Sequence, residues 1–168
     1  MVMPAYAIDY FTPEPTSPLG MLRILASEHG IREITFVDSV ETQAPASPSP
    51  LTETCREQLS AYLKGELRNF DVPLDPQGTP FQQRVWAALA RIPFGETRSY
   101  AEIARDIDNL KAMRAVGAAN GRNPLPIVVP CHRVIGRDGT LTGYAGGLER
   151  KAWLLELERT HIKHHPMR

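Results

Sequence analysis

Cysteine is scarce in this chain. There are two in 168 residues, Cys55 and Cys131. Thiols so few and so far apart argue against a disulfide scaffold and fit a reducing compartment, so a cytoplasmic location is expected. Histidine is nearly as sparse: outside the last eight residues only His29 and His132 occur. No CxxC pair is present, and the adjacent Cys131 and His132 are poorly spaced to chelate, so no metal is expected. No run of about 18 apolar residues exists, so no membrane span is expected. The opening stretch MVMPAYAIDYFTPEP lacks a basic segment followed by an apolar one and does not read as a secretory leader.

Net charge is also missing, with nineteen basic and nineteen acidic residues. That balance hides an asymmetry. Residues 1–79 hold five Lys and Arg against eleven Asp and Glu, whereas residues 80–168 hold fourteen against eight. An acidic half joined to a basic half predicts two units, 1–78 and 79–168, and a polyanion as the partner of the second.

What is present sorts by period. YAIDYF, MLRILAS and IREITFV, separated by SPLG and EHG turns, predict a meander of short strands. QAPASPSP (residues 43–50) reads as a loop or flexible linker. In LTETCREQLSAYLKGE the residues Leu51, Cys55, Leu59, Tyr62 and Leu63 share one helical face, so Cys55 is expected to be a buried, inert thiol. FDVPLDPQG reads as the connection between the units.

The second half opens with legible caps. Thr79-Pro80-Phe81-Gln82 and Ser99-Tyr100-Ala101-Glu102 are capping boxes, and Phe81, Val85, Trp86 and Leu89 form a buried stripe. Asp108 or Asn109 is expected to cap a third helix, LKAMRAVGAAN, with Gly121 at its stop. The class is therefore α+β: a small N-terminal α/β domain of short antiparallel strands plus a helix, then a helix-turn-helix domain of winged-helix type. The third helix is built of small residues (Ala112, Ala115, Gly117, Ala118, Ala119) around one long arm, Arg114. Such a face suits either close helix packing or close approach to nucleic acid. IVV reads as a buried strand ending at Pro130, GYAGG as a glycine-rich loop, LERKAWLLELERT as the last helix, and IKHHPMR as a polar, frayed tail.

Cys131 stands at the end of that strand in VVPCHRVIG. A free thiol is only a few per cent thiolate at neutral pH, so a nucleophilic cysteine needs a base or a positive charge beside it. His132 can be the base, and a carboxylate should orient it. The last helix offers Glu156 and Glu158, and periodicity does not choose between them.

FQQRVW, GETRSYAEIA, RAVGAANGRNP, IVVPCHRVIG, GYAGG and WLLELE together resemble the O6-alkylguanine-DNA alkyltransferases, also called methylated-DNA–protein-cysteine methyltransferases. SPLG and AYLKGELRNFDVPLD resemble that family's smaller domain more loosely. The resemblance implies a DNA repair protein without a cofactor. It would bind double-stranded DNA in the minor groove, flip out O6-alkylguanine and transfer the alkyl group once, irreversibly, to Cys131. Acceptance of O4-alkylthymine is left open, as is cooperative binding by an expected monomer.

The implied roles follow residue by residue. His132 is the base through a water and Glu158 orients it. Tyr100 pushes the nucleotide and hydrogen-bonds guanine N3. Arg114 fills the stack, on a face with Ala112, Met113, Ala115 and Gly117. Asn123 braces the turn, the main chain of Cys131, Val134 and Ala145 reads the base, and Tyr144 walls the pocket. Met113 and Leu110 depart from the family's usual small residue and turn former. Three other functions compete: a non-enzymatic lesion binder, a thiol hydrolase and a DNA-binding regulator.

Overall fold

Alternation in MLRILA sends Leu22, Ile24 and Ala26 to one face. In the computed structural model, which describes residues 6–164, all three are fully buried. β1 (Ala7–Phe11), β2 (Met21–Ala26) and β3 (Ile31–Val37) form an antiparallel sheet in that order, with Asp9 opposite Ile24 and Ile24 opposite Ile34. The expected meander is present. α1 (Pro50–Leu63) packs on the sheet, capped by Ser49 in a capping box with Thr52. It buries Thr52, Cys55, Leu59 and Tyr62. Leu51 and Leu63 are only half-buried. Thr52 takes the inner position because its hydroxyl meets the buried Asp9 carboxylate at 3.3 Å. Cys55 is fully buried. Burial, and next the charge of Asp9, push its thiol up to about 12.

Two segments expected to be free connections are not. Ile8 and Ser47 exchange backbone hydrogen bonds at 3.1 and 2.7 Å, and the Tyr10 hydroxyl donates to the Ala44 carbonyl at 2.6 Å. At the other edge, Ile31 donates to the Pro73 carbonyl and Asp75 donates to the Ile31 carbonyl, both at 2.8 Å. The physical reason is shared: a three-stranded sheet has two open edges, and these segments satisfy backbone groups there.

The chain divides into two compact units, Met1–Gln77 and Gly78–Arg168. The second begins with α2 (Pro80–Ala90), then β4 (Arg98–Ser99), α3 (Tyr100–Asp106) and α4 (Met113–Gly121). Both predicted capping boxes form, Thr79 with Gln82 and Ser99 with Glu102. The three helices pack mutually, and Trp86 Nε1 donates to the Ala119 carbonyl at 2.9 Å, pinning α2 to α4.

The cap expected for α4 does not form. Asp108 takes a left-handed backbone conformation (φ +56°), a single 3₁₀ turn covers Leu110–Ala112, and Ala112 stands at the N-cap without a side-chain bond. The left-handed residue closes the end of α3 instead, where Asn109 donates to the Ala104 carbonyl at 2.8 Å. Gly121 is the last helical residue and Arg122 follows as the C-cap.

The predicted IVV strand is absent. Residues 124–129 form turns, with buried Ile127 at φ +75°. Pro124, Pro126 and Pro130 supply no N–H to a ladder, so the apolar run is buried without being a strand. The pairing comes after the cysteine: Cys131–Arg133 make a 3₁₀ turn, and β5 (Val134–Ile135) pairs parallel with β4. The last helix, α5 (Leu148–His164), continues past Thr160 through the first part of the expected tail; residues 165–168 lie outside the described residues. No helix among the described residues is long and apolar enough to cross a membrane.

Candidate active site

The turn between α4 and Cys131 is organised by one side chain. Asn123 Nδ2 donates to the Val129 carbonyl at 2.8 Å, and Asn123 Oδ1 accepts from the Leu125 amide at 3.0 Å. The turn closes with Cys131 donating to the Val129 carbonyl at 2.8 Å. Cys131 is buried. Burial pushes its thiol up to about 11, against the pull of a hydrogen bond from Asn123 and the charge of Lys151.

His132 is fully buried, and its Nε2 lies 2.7 Å from Glu158 Oε2. Glu156, the other candidate, is exposed and pairs with Arg159. Glu158 is gripped from three sides. Arg133 Nε and Nη2 each reach one of its oxygens at 2.9 Å, and the Gly95 amide donates to Oε1 at 2.9 Å. The guanidinium also donates to the Ile92 carbonyl at 2.6 Å and lies over the Phe94 ring. Burial alone would raise the Glu158 carboxyl; the hydrogen bonds and charges of His132 and Arg133 outweigh it and hold it at about 2. Glu158 is thus a fixed anion. Burial lowers the His132 pKa, opposed by Glu158, so the ring is neutral at neutral pH. A neutral ring facing a carboxylate through Nε2 carries its proton there and keeps a lone pair on Nδ1. Nδ1 is buried and has no hydrogen-bond partner.

The other predicted residues fall in two groups. Tyr144 is buried, and burial, then the charge of Cys131, raise its pKa. Val134 is buried, while Ala145 is exposed. The Tyr100 hydroxyl meets Thr142 Oγ1 at 2.8 Å, which links the start of α3 to the loop that holds Tyr144. Met113, Arg114 and Ala115 are exposed on α4, Ala112 just before them is half-exposed, and Val116 and Ala119 form the buried side. Gly117 faces the Tyr100 ring at 3.8 Å from where a Cβ would sit.

Arg133 is legible in the sequence as positive charge next to Cys131, but its direction is not, and Lys151 does not stand out at all. Lys151, Leu154 and Glu158 recur at helical spacing and are all buried, so the period of the last helix holds the signal. Lys151 Nζ donates to the Val134 and Thr142 carbonyls, both at 2.6 Å. No group of three or more His, Cys, Asp or Glu able to hold a metal occurs among the described residues.

Residues 80–160 match the 6-O-methylguanine DNA methyltransferase DNA binding domain, and residues 11–76 match the ribonuclease-like domain of the same family. The chain belongs to the 6-O-methylguanine DNA methyltransferase family. A methylated-DNA–protein-cysteine methyltransferase of Mycobacterium bovis is 64% identical, over 86% of this chain and 89% of that protein. One from Methanosarcina acetivorans is 52% identical, over 84% and 94%. Among solved structures, the Mycobacterium tuberculosis OGT protein in complex with DNA superposes with a TM-score of 0.78 at 48% identity, covering 90% of this chain and 93% of that one.

Proposed function

We propose that this protein repairs alkylated DNA by moving the alkyl group from guanine O6 to its own Cys131. One observation carries the chemistry: a buried Cys131 precedes a neutral His132 whose Nε2 is committed to Glu158 and whose Nδ1 is left to accept a proton. Membership of the methyltransferase family, and the DNA complex of a close relative, support DNA as the partner. Relatives at this level of identity are named methyltransferases, which favours transfer over binding alone.

The duplex is engaged through its minor groove by α4, where the small Ala112 and Ala115 beside Arg114 let the backbone approach closely. Arg114 enters the stack as the alkylated base leaves it, a flip that costs a few kcal/mol and less for a poorly paired lesion. The base rests against Tyr144, near the main chain of Cys131, Val134 and Ala145. His132 Nδ1 takes the thiol proton through a water. The sulfur then bonds to the alkyl carbon as the carbon–O6 bond breaks, and the electron pair passes into the purine. Tyr100, held by Thr142, gives a proton to guanine N3 and so neutralises the leaving base. The product at Cys131 is a thioether, which water does not readily cleave, so each molecule acts once, as a monomer in the cytoplasm, with no cofactor.

The test is the intact mass of the protein after mixing with excess duplex carrying one O6-methylguanine, beside a Cys131→Ala control. A gain of one methylene's mass at Cys131, absent from the control, is expected. Unchanged mass with intact DNA binding would overturn the acceptor role.

A further inference from the structure

A hollow of about 440 Å³ opens beside Tyr100, lined also by Ala101, Glu102 and Arg105 of α3, by Met113 of α4 and by Arg137. Tyr100, Ala101 and Met113 give it apolar walls. Arg105 and Arg137 are exposed, and neither guanidinium has an ion pair among the described residues. Glu102 is the one acid that lines the hollow, and its Oε1 already accepts from the Ser99 amide at 3.0 Å. Two arginines against one glutamate leave the hollow net positive, in the half of the chain that holds fourteen basic against eight acidic residues.

Arg137 is presented by a tight turn. Gly136 donates to the Thr140 carbonyl at 2.8 Å, and Gly139, at φ +88°, donates to the Gly136 carbonyl at 2.9 Å. A Cβ on Gly136 would lie 2.6 Å from Thr140 Oγ1, so the turn closes too tightly for a side chain there. Asp138, the acid next to Arg137, is engaged by Thr140: its Oδ1 accepts from the amide at 3.1 Å and from the hydroxyl at 2.6 Å. Arg105 comes from the last turn of α3, the helix that Tyr100 begins. Two unpaired cations thus reach one hollow from separate elements.

We infer that Arg105 and Arg137 clamp one phosphodiester of the DNA strand that carries the lesion, beside the nucleotide that Tyr100 meets. The inference rests on the repair reading, which supplies the duplex and the role of Tyr100. A guanidinium forks onto phosphate oxygens, so two of them at one hollow match a single phosphate group. The apolar walls of Tyr100 and Ala101 suit the deoxyribose attached to it. A phosphate held there fixes the strand while the base turns out. The clamp positions the substrate and takes no part in making or breaking bonds.

The test is the salt dependence of binding to duplex carrying one O6-methylguanine, for the full chain and its Arg105→Gln, Arg137→Gln and doubly substituted variants. Each phosphate contact contributes about 0.9 to the slope of log affinity against log salt. Each single variant should be shallower by about 0.9 and the double variant by about 1.8. Arg137→Lys keeps the charge and should keep the slope. Arg159→Gln is the control: Arg159 is exposed, pairs with Glu156 and does not line the hollow, so its loss should leave the slope alone. Duplexes with one neutral methylphosphonate linkage, moved along the lesion strand, then locate the phosphate. One linkage should weaken wild type and leave the double variant unchanged. Unchanged slopes in the Gln variants, a fall in only one of them, or an equal fall in Arg159→Gln would overturn the clamp. So would a methylphosphonate scan that affects wild type and double variant alike. A steep wild-type slope shared by the variants removes the clamp and keeps the repair reading; a wild type that does not bind the duplex removes both.

Discussion

Asn123 spans the turn that delivers Cys131, donating to the Val129 carbonyl at 2.8 Å while accepting from the Leu125 amide at 3.0 Å. The segment between contains three prolines and an isoleucine in the left-handed region, a conformation strained for a β-branched side chain. Nothing in such a segment pairs as a strand would, so the asparagine adds its two bonds to the turn's own, from Val129 to the Leu125 carbonyl and from Cys131 to the Val129 carbonyl.

Removing that brace should therefore damage both stability and chemistry. Asn123→Ala leaves the buried Leu125 amide without its partner, at about 1–3 kcal/mol, and leaves the Val129 carbonyl to the Cys131 amide alone. Asn123→Asp keeps the acceptor and loses the donor, so it should be the milder change in thermal unfolding. Both should slow alkyl transfer, because the turn sets where Cys131 sits. An Asn123→Ala protein with wild-type melting temperature and transfer rate would show that the turn holds itself.

Arg133 and Glu158 should behave as one coupled pair. Glu158→Gln strands the Arg133 guanidinium in the interior, and breaking one side of a buried pair costs roughly 3–5 kcal/mol. Arg133→Met removes the guanidinium and keeps the bonds of Glu158 to His132 and the Gly95 amide. The double variant should be more stable than the sum of the single losses, since neither charge is left alone. It should still transfer alkyl groups slowly, because His132 has lost its anion. Additive stability losses in a double-mutant cycle would mean the pair is not coupled.

Acid should weaken the second unit in two stages with the same sign. The ordinary histidine value is 6.5 and burial lowers that of His132, so the unfolded chain binds the extra proton first and stability falls as pH drops below 6.5. Glu158 is held at about 2 against an ordinary 4.5, so its contribution is present above 4.5 and is lost between there and about 2. The size of that second loss is on the order of 3 kcal/mol. Urea unfolding at stepped pH, followed by the tryptophans at 86 and 153, measures both stages. A His132→Gln variant should lack the first stage and keep a smaller second one, because Arg133 still holds Glu158 down.

Local signals make much of the fold legible. The alternation of Leu22, Ile24 and Ala26 places the sheet's inner face, and Thr79 and Ser99 announce two helices correctly, because caps and periods depend on neighbours in sequence. The misses are tertiary. Asp108 and Asn109 look like caps, yet the backbone there closes α3. IVV looks like a strand, yet its prolines and Asn123 make a turn. Residues 43–50 and 70–78 look like linkers, yet sheet edges recruit them. In the site, the family motifs pick out Cys131, His132 and Glu158, and periodicity alone leaves Glu156 in contention. Lys151 escapes because a lysine in a polar-looking helix reads as solvated until Val134 and Thr142 are seen to surround it.

Met113 is the first residue of α4 and is exposed, beside Arg114 and in a hollow it shares with Tyr100 and Arg137. Small neighbours at 112 and 115 keep the backbone low, while the methionine rises above them. If this face enters the groove, Met113→Ala should keep or improve affinity for duplex DNA, because an unbranched thioether is removed from a close approach. Arg114→Ala should instead weaken discrimination for the lesion more than general binding, since the arm acts when the base is out. General binding should fall steeply with salt and vary little with sequence, as phosphate contacts dominate it. A binding titration with and without O6-methylguanine at several salt concentrations separates these terms. A clear loss of affinity in Met113→Ala would mean the methionine is itself a DNA contact, not an intrusion.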